Sequence, residues 1–237
     1  MDDIGMLESL LDVQGVDSEI DRLHARRSSL PILEDFREAH GELQRLEGEI
    51  AEQSRHARDT RLALDRAEGE MLIDEEKATK EEHRLFAGGL TAREATHMRD
   101  EVAMLRKRVS DREDEVIELM ELRQQYDQRL AELEAQRVDA AATKARLDEE
   151  IRAEWAAIDG QVATLRDQRE GLASKVDPDL LELYDGIRPS KDGVAAAVLA
   201  DRVCGGCHLA LSAAEESQAL KAQPPRCLHC RRILVPR

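Results

Sequence analysis

Apolar residues recur along this chain at intervals of seven. Leu7, Leu10, Val13, Ile20 and Leu23 form a first stripe. Leu43, Ile50, Ala57, Leu64 and Met71 form a second, beside a half-polar track of Leu46, Gln53, Thr60 and Ala67. The longest set is Val102, Val109, Val116, Arg123, Leu130, Arg137, Lys144, Ile151, Ile158, Leu165 and Leu172. Its companions are Leu105, Arg112, Leu119, Tyr126, Leu133, Ala140, Leu147, Glu154 and Gln161. Such a strict repeat predicts a helix supercoiled left-handedly against another. A helix from about residue 92 to 174 would be roughly 120 Å long at 1.5 Å per residue and needs a partner.

The partner is expected within the same chain. Gly88 and Gly89 break the first long helix, and Thr91 with Glu94 has the spacing of a capping box that starts the second. A short break between two long amphipathic helices reads as an antiparallel hairpin with its turn near residues 86–92. Parallel dimerisation through the second helix is the competing arrangement, so monomer and homodimer both stay open. Pro31 lacks a backbone donor and should kink or interrupt the first helix. Arg112, Arg123, Arg137 and Lys144 fall on core positions. They either fix register against the acidic first helix or snorkel out to solvent.

The periodicity ends near residue 176. Asp177 and Pro178 are a cap and first turn for a short helix carrying Leu180, Leu181, Leu183 and Tyr184. Pro189 and Gly193 then mark a turn, and this stretch reads as a hinge. GVAAAVLADRV and ILV at 233–235 read as short strands, with a helix between them capped by Ser212 and Glu215. The expected fold is mainly α: a coiled-coil helical hairpin over 1–176, followed by a small β domain with a short leading helix over 177–237.

Composition supports this reading. Aromatic residues are 2% and charged residues 36%, too little material for a thick core and typical of long helices. The formal charge is −16. From Asp201 onward six Lys/Arg face three Asp/Glu, a net +3 on a body of −19. No apolar run is long enough to span a membrane, and residues 1–20 lack the basic and apolar regions of a secretory leader. A cytoplasmic location is expected, where disulfides are disfavoured.

All four cysteines lie in that tail, as Cys204-x2-Cys207 and Cys227-x2-Cys230. Two CxxC turns at this separation match a closed structural zinc site, one ion per chain. Gly205 and Gly206 are expected to let the first loop turn sharply so that its amides reach sulfur. A redox CxxC ordinarily occurs once, and two disulfides suit a secreted domain. A three-cysteine, one-histidine set using His208 or His229 is the remaining alternative. Arg202, Lys221, Arg226, Arg231, Arg232 and Arg237 are candidate contacts to a partner or to nucleic acid. Two features weaken the nucleic-acid reading. The tail has no aromatic residue for base stacking, and four thiolates on one Zn²⁺ carry −2.

Several stretches carry a family likeness in the same order: LLDVQGVDSEIDRL with SSLP, FAGGLTAREATHMRDEVAMLRKR, DLLELYDGIR, and VCGGCHLALS with RCLHCRRILV. The chain resembles the bacterial four-cysteine zinc-ribbon proteins with a long N-terminal coiled-coil hairpin. The resemblance implies a non-enzymatic protein with Cys204, Cys207, Cys227 and Cys230 as zinc ligands. Relatives act in flagellar gene regulation, as chaperone-like partners of an alternative sigma factor or as binders of a transcript. The functional expectation is therefore a zinc-binding adaptor or chaperone-like regulator working through a protein partner, with nucleic-acid binding by the basic head as the alternative. No phosphate loop, nucleophile–base pair or small-molecule substrate site is visible.

Overall fold

The computed structural model describes residues 3–237; Met1 and Asp2, the first two positions of the span 1–176 expected above, lie outside the described residues. The elements are α1 (Asp3–Ser28), α2 (Ile32–Phe86), α3 (Ala92–Ala173), α4 (Pro178–Ile187), a 3₁₀ turn (Arg188–Ser190), β1 (Ala196–Ala200), β2 (Val203–Cys204), α5 (Ala213–Lys221) and β3 (Ile233–Pro236). The chain divides into two compact units. One joins residues 1–34 with 147–237, and the other is Asp35–Arg146. No described helix is long and apolar enough to cross a membrane.

The unit Asp35–Arg146 is an antiparallel helical hairpin. Its turn follows from local chemistry: Gly88 and Gly89 both adopt positive φ, which costs a Cβ-free residue little. The Thr91 amide donates to Glu94 Oε2 at 2.8 Å, and the Glu94 amide reaches back to Thr91 Oγ1 at 3.4 Å. Leu64, Ala67 and Val116 pack in the seam with Met71 and Leu119 beside them. The pairs Glu82–Arg106, Glu70–Arg112 and Glu49–Arg129, at 2.6, 2.5 and 3.5 Å, set the two helices in opposite directions.

The basic core positions divide between the two expected behaviours. Arg112 crosses to Glu70 and Asp74, and Lys144 sits 5.5 Å over the Phe36 ring. Arg123 and Arg137 instead turn along their own helix to Asp127 and Glu134. Asp74 is the polar key of the seam. Its carboxylate is 2% exposed and takes Arg108 at 3.0 Å and Arg112 at 3.4 Å. Removing Asp74 leaves Arg112 with Glu70 and Glu115 and leaves Arg108 half exposed to solvent, so the loss is smaller than for a fully buried pair. Asp74→Ala is expected to cost the hairpin about 2 kcal/mol, because Arg108 can still relax outward. Helix loss followed by circular dichroism in urea checks this; an unchanged midpoint would show that the pair is ornamental.

The other unit is built on α1. Leu7, Leu10, Val13, Ile20 and Leu23 are all buried, as their stripe predicts. Ile20, Leu23 and Leu30 pack with Ile158 and Val162 of α3, and the helix breaks between Ser28 and Ile32 around Pro31. Here the strict heptad fails. Ile151, Ile158, Leu165 and Leu172 hold their track, but its companion moves from Glu154 and Gln161 to Trp155 and Val162. A four-residue step of this kind is a stutter that locally unwinds a supercoil. It occurs because the apolar side chains, not the count of seven, decide which face is buried.

Leu7, Leu10 and Val13 continue into a second core with Val176, Tyr184, Ala196, Ile233 and Val235. The stretch read as a hinge is therefore part of a packed core. α4 is capped as expected, with Asp177 accepting from the amides of Asp179 and Leu180. The sheet order is β2-β1-β3, with β1 antiparallel to β2 and parallel to β3. Strand alternation divides its faces. Ala196, Ile233 and Val235 face α1 and α4, while Ala197, Leu199 and Leu234 face the cysteine-bearing loops. Both faces being covered explains why ILV is an unbroken apolar run.

Candidate metal centre

The two CxxC loops are built alike. The His208 amide donates to the Cys204 carbonyl at 2.7 Å, and the Arg231 amide to the Cys227 carbonyl at 2.9 Å. The Cys204 amide donates to the Leu209 carbonyl at 3.1 Å, and the Cys227 amide to that of Arg232 at 2.9 Å. In both loops the residue after the second cysteine, His208 or Arg231, takes the left-handed conformation.

That placement corrects the role expected of the glycines. The second loop makes the same turn with Leu228 and His229 where the first has Gly205 and Gly206, so the turn does not require glycine. Gly206 answers to a neighbour instead. A Cβ there would lie 2.5 Å from Arg232 Cδ and 3.1 Å from the Ala197 methyl.

The loops bring all four sulfurs together. The ligand atoms lie within 4.8 Å of one another, with Cys204 Sγ to Cys230 Sγ at 3.8 Å and Cys207 Sγ to Cys227 Sγ at 3.9 Å. A tetrahedron with metal–sulfur bonds of about 2.3 Å requires sulfurs about 3.8 Å apart. The set fits a metal ion on geometry and on donor chemistry. His208 and His229 are not in the cluster; both are exposed, and His229 Nε2 lies 3.9 Å from Glu215.

Burial treats the sulfurs unequally. It pushes the Cys204 thiol up to about 12 against the opposing pull of the Gly206 and Cys207 amides. Burial also raises Cys207, opposed by the Leu209 amide. At Cys230 burial pushes the same way but loses to Arg232, whose amide and side chain help to bring the thiol down to about 7. A metal ion would bind the deprotonated sulfurs and release their protons.

Around the cluster, Leu199, Leu211, Ala219 and Leu234 join the buried Cys204 and Cys227 in one small core. α5 covers it, with Ser212 and Glu215 forming the capping box read from the sequence. Of the head's cations, Arg202, Lys221, Arg231 and Arg237 are exposed and Arg226 is half-buried. Arg232 is committed to the fold: its Nε donates to the Val194 carbonyl at 2.7 Å and its Nη2 to that of Lys191 at 3.0 Å.

The model of the CT398-like coiled coil hairpin domain matches residues 13–192. The chain belongs to this family. The match ends before Cys204, so the family covers the helices and the cysteine cluster stands on its own geometry. Over 239 residues the chain is 27% identical to the Mycobacterium tuberculosis protein Rv2229c, covering 98% of this chain and 96% of that one. Its fold is similar to that of CT398 from Chlamydia trachomatis, with a TM-score of 0.80 at 21% identity and 98% of both chains covered. A structure from Mycobacterium smegmatis gives 0.84 at 20% identity, covering 99% of both.

Sequence reasoning missed a buried polar knot in this CT398-like protein. Asp17 is 2% exposed and accepts from the Tyr184 hydroxyl at 2.9 Å and Arg169 Nε at 2.8 Å, with Arg188 Nε at 3.7 Å. Arg188 also donates to Asp21, and Arg169 to Asp185. One helical turn away, the buried Gln14 donates to the Gly193 carbonyl at 2.8 Å and accepts from the Ala195 amide at 2.7 Å. The available signal was two polar residues, Gln14 and Asp17, on the apolar face between Val13 and Ile20.

Proposed function

We propose that Cys204, Cys207, Cys227 and Cys230 hold one structural zinc ion, and that the protein is a non-enzymatic adaptor acting through protein–protein contacts. The observation that carries the first half is the gathering of four thiol sulfurs within 4.8 Å of one another, two pairs of them 3.8 and 3.9 Å apart. Soft thiolate donors in this geometry favour zinc, and four of them leave no coordination position for water or substrate. A bound zinc ion supplies a cross-link between the two loops and no chemistry beyond that. The backbone amides of Leu209 and Arg232 favour the thiolate forms of Cys207 and Cys230, while the small core excludes water from Cys204 and Cys227.

The adaptor reading rests on the helices. Leu62, Ile73, Ile117 and Met120 stand outside the seam and are largely exposed on an acidic surface. Such side chains offer apolar anchors on helices built for reach. The partner the family resemblance implies is a regulatory protein of the sigma-factor type. Cross-linking from the neighbouring exposed Glu121 position in cell extract should capture one protein partner with the wild-type chain. Loss of capture by an Ile117→Ser/Met120→Ser variant supports these anchors; unchanged capture removes them.

One observation favours nucleic-acid binding as a second reading. Arg202, Lys221, Arg226, Arg231 and Arg237 have no carboxylate partner among the described residues, whereas many arginines of the helices do. Arg232 is not available for that purpose. Binding of the full chain to single-stranded RNA and duplex DNA is expected to weaken with salt, with a log–log slope of about 0.7 per phosphate contact on RNA. An Arg202→Ala/Arg231→Ala variant should lower that slope. Undetectable or salt-insensitive binding would remove this reading.

A further inference from the structure

We propose that the hairpin tip docks, through Phe86, into an acid-rimmed apolar groove on a second copy of this chain. Two open surface features carry the inference. The first is Phe86, one of two phenylalanines in the sequence, which is 84% exposed at the end of α2. Charge around it is mixed: Arg84, Arg93 and Arg99 stand among Glu81, Glu82, Glu94, Asp100 and Glu101. Glu94 is engaged by Thr91, and Arg84 pairs with Glu81. Arg93 and Arg99 have no carboxylate partner among the described residues.

The second feature lies in the other unit. Met6, Leu7, Leu180, Leu183, Pro224 and Pro225 line a groove of about 450 Å³. Asp177 and Asp179 also line it; Asp177 caps α4, and Asp179 carries no ion pair among the described residues. That volume falls in the range of pockets that take a small ligand, and one phenyl ring is well within it. An apolar knob beside the unpaired Arg93 and Arg99 and an apolar hole beside the unpaired Asp179 are complementary in shape class and in charge.

The second copy is the favoured occupant because the chain presents both halves of the contact. An aromatic anchor buries about 150–250 Å², far below the area of a stable interface. The association is therefore weak, reversible and salt-sensitive. Engaged reciprocally by two copies it closes a dimer, and engaged one way it grows open chains.

Sedimentation velocity of the full chain at low salt, from micromolar to millimolar concentration, tests this. The sedimentation coefficient should rise with concentration and fall back in high salt. Phe86→Ala should weaken association by about tenfold or more, and because Phe86 is exposed the variant should keep its fold. Arg93→Glu and Asp179→Arg should each weaken it, and mixing those two variants should restore part of it. Monomeric behaviour throughout, association indifferent to Phe86→Ala, or a charge-swapped mixture no better than its parts would each overturn the proposal.

Discussion

Changing Cys227 and Cys230 together to serine is expected to abolish metal binding and to melt the small sheet. Wild-type protein purified under reducing conditions should carry about one zinc per chain. The variant should carry essentially none. The head has strands of two to five residues, and the core at the cysteines holds three leucines, two alanines and two of the cysteines, too little apolar burial to fold unaided. Structural zinc contributes roughly 10–16 kcal/mol of apparent binding energy at neutral pH, enough to decide whether such a fold exists.

The damage should have a definite extent. Leu234 and Ala197 lose the core they face, whereas Ile233 and Val235 still face α1. Amide exchange should speed up first at Cys204, Leu211 and Leu234, with the Asp35–Arg146 hairpin unchanged. Acid should act in the same direction, because the metal binds deprotonated sulfur and Cys204 is already pushed up to about 12 by burial. Less than half an equivalent of metal in the wild type, or full protection of Leu234 in the double serine variant, would count against a structural site.

Asp17→Ala should be the most damaging single change outside the cysteines. It leaves the Tyr184 hydroxyl buried without a partner and two guanidiniums without their shared carboxylate. Breaking a buried ion pair costs about 3–5 kcal/mol. The low end applies, because the Arg169 and Arg188 side chains remain 27% and 25% exposed. Asp17→Asn keeps an acceptor for the phenol and should cost less. Trp155 is the only tryptophan, and its Nε1 donates to the Arg27 carbonyl at 3.3 Å in the same unit. Its fluorescence in a urea titration reads the loss directly, and an unshifted midpoint would refute the role given to Asp17.

The pH dependence of this knot has a definite sign. Burial, and then the Asp17 carboxylate, raise the Tyr184 phenol well above its ordinary value of about 10. A raised pKa means that the folded state holds the proton more tightly. The contribution is therefore complete below about pH 10 and fades only as pH climbs toward the raised value. Tyr184→Phe should remove this alkaline component.

Much of the architecture is visible in local pattern. The stripe of Leu7, Leu10 and Val13, the Gly88–Gly89 turn, the capping pairs Thr91/Glu94 and Ser212/Glu215, and the two CxxC loops depend on residues a few positions apart. Physical rules of short range suffice for them. The exchange of Glu154 for Trp155 in the seam was not legible by counting sevens, although the apolar side chain was there to be seen. The commitment of Arg232 to the Val194 and Lys191 carbonyls was not legible at all, since those partners lie about forty positions away in the chain.

The order of residues alone determined that this chain would be two long helices folded back on each other, ending in a four-cysteine head. Periodicity, caps and CxxC spacing are properties of neighbouring residues. Only the tertiary structure decided that β1 and β3 are covered on both faces, that Asp17 binds Tyr184 and Arg169 across more than 150 positions, and that Phe86 is left without a cover. Those outcomes follow from which apolar faces meet, and that is settled by the packing of distant segments.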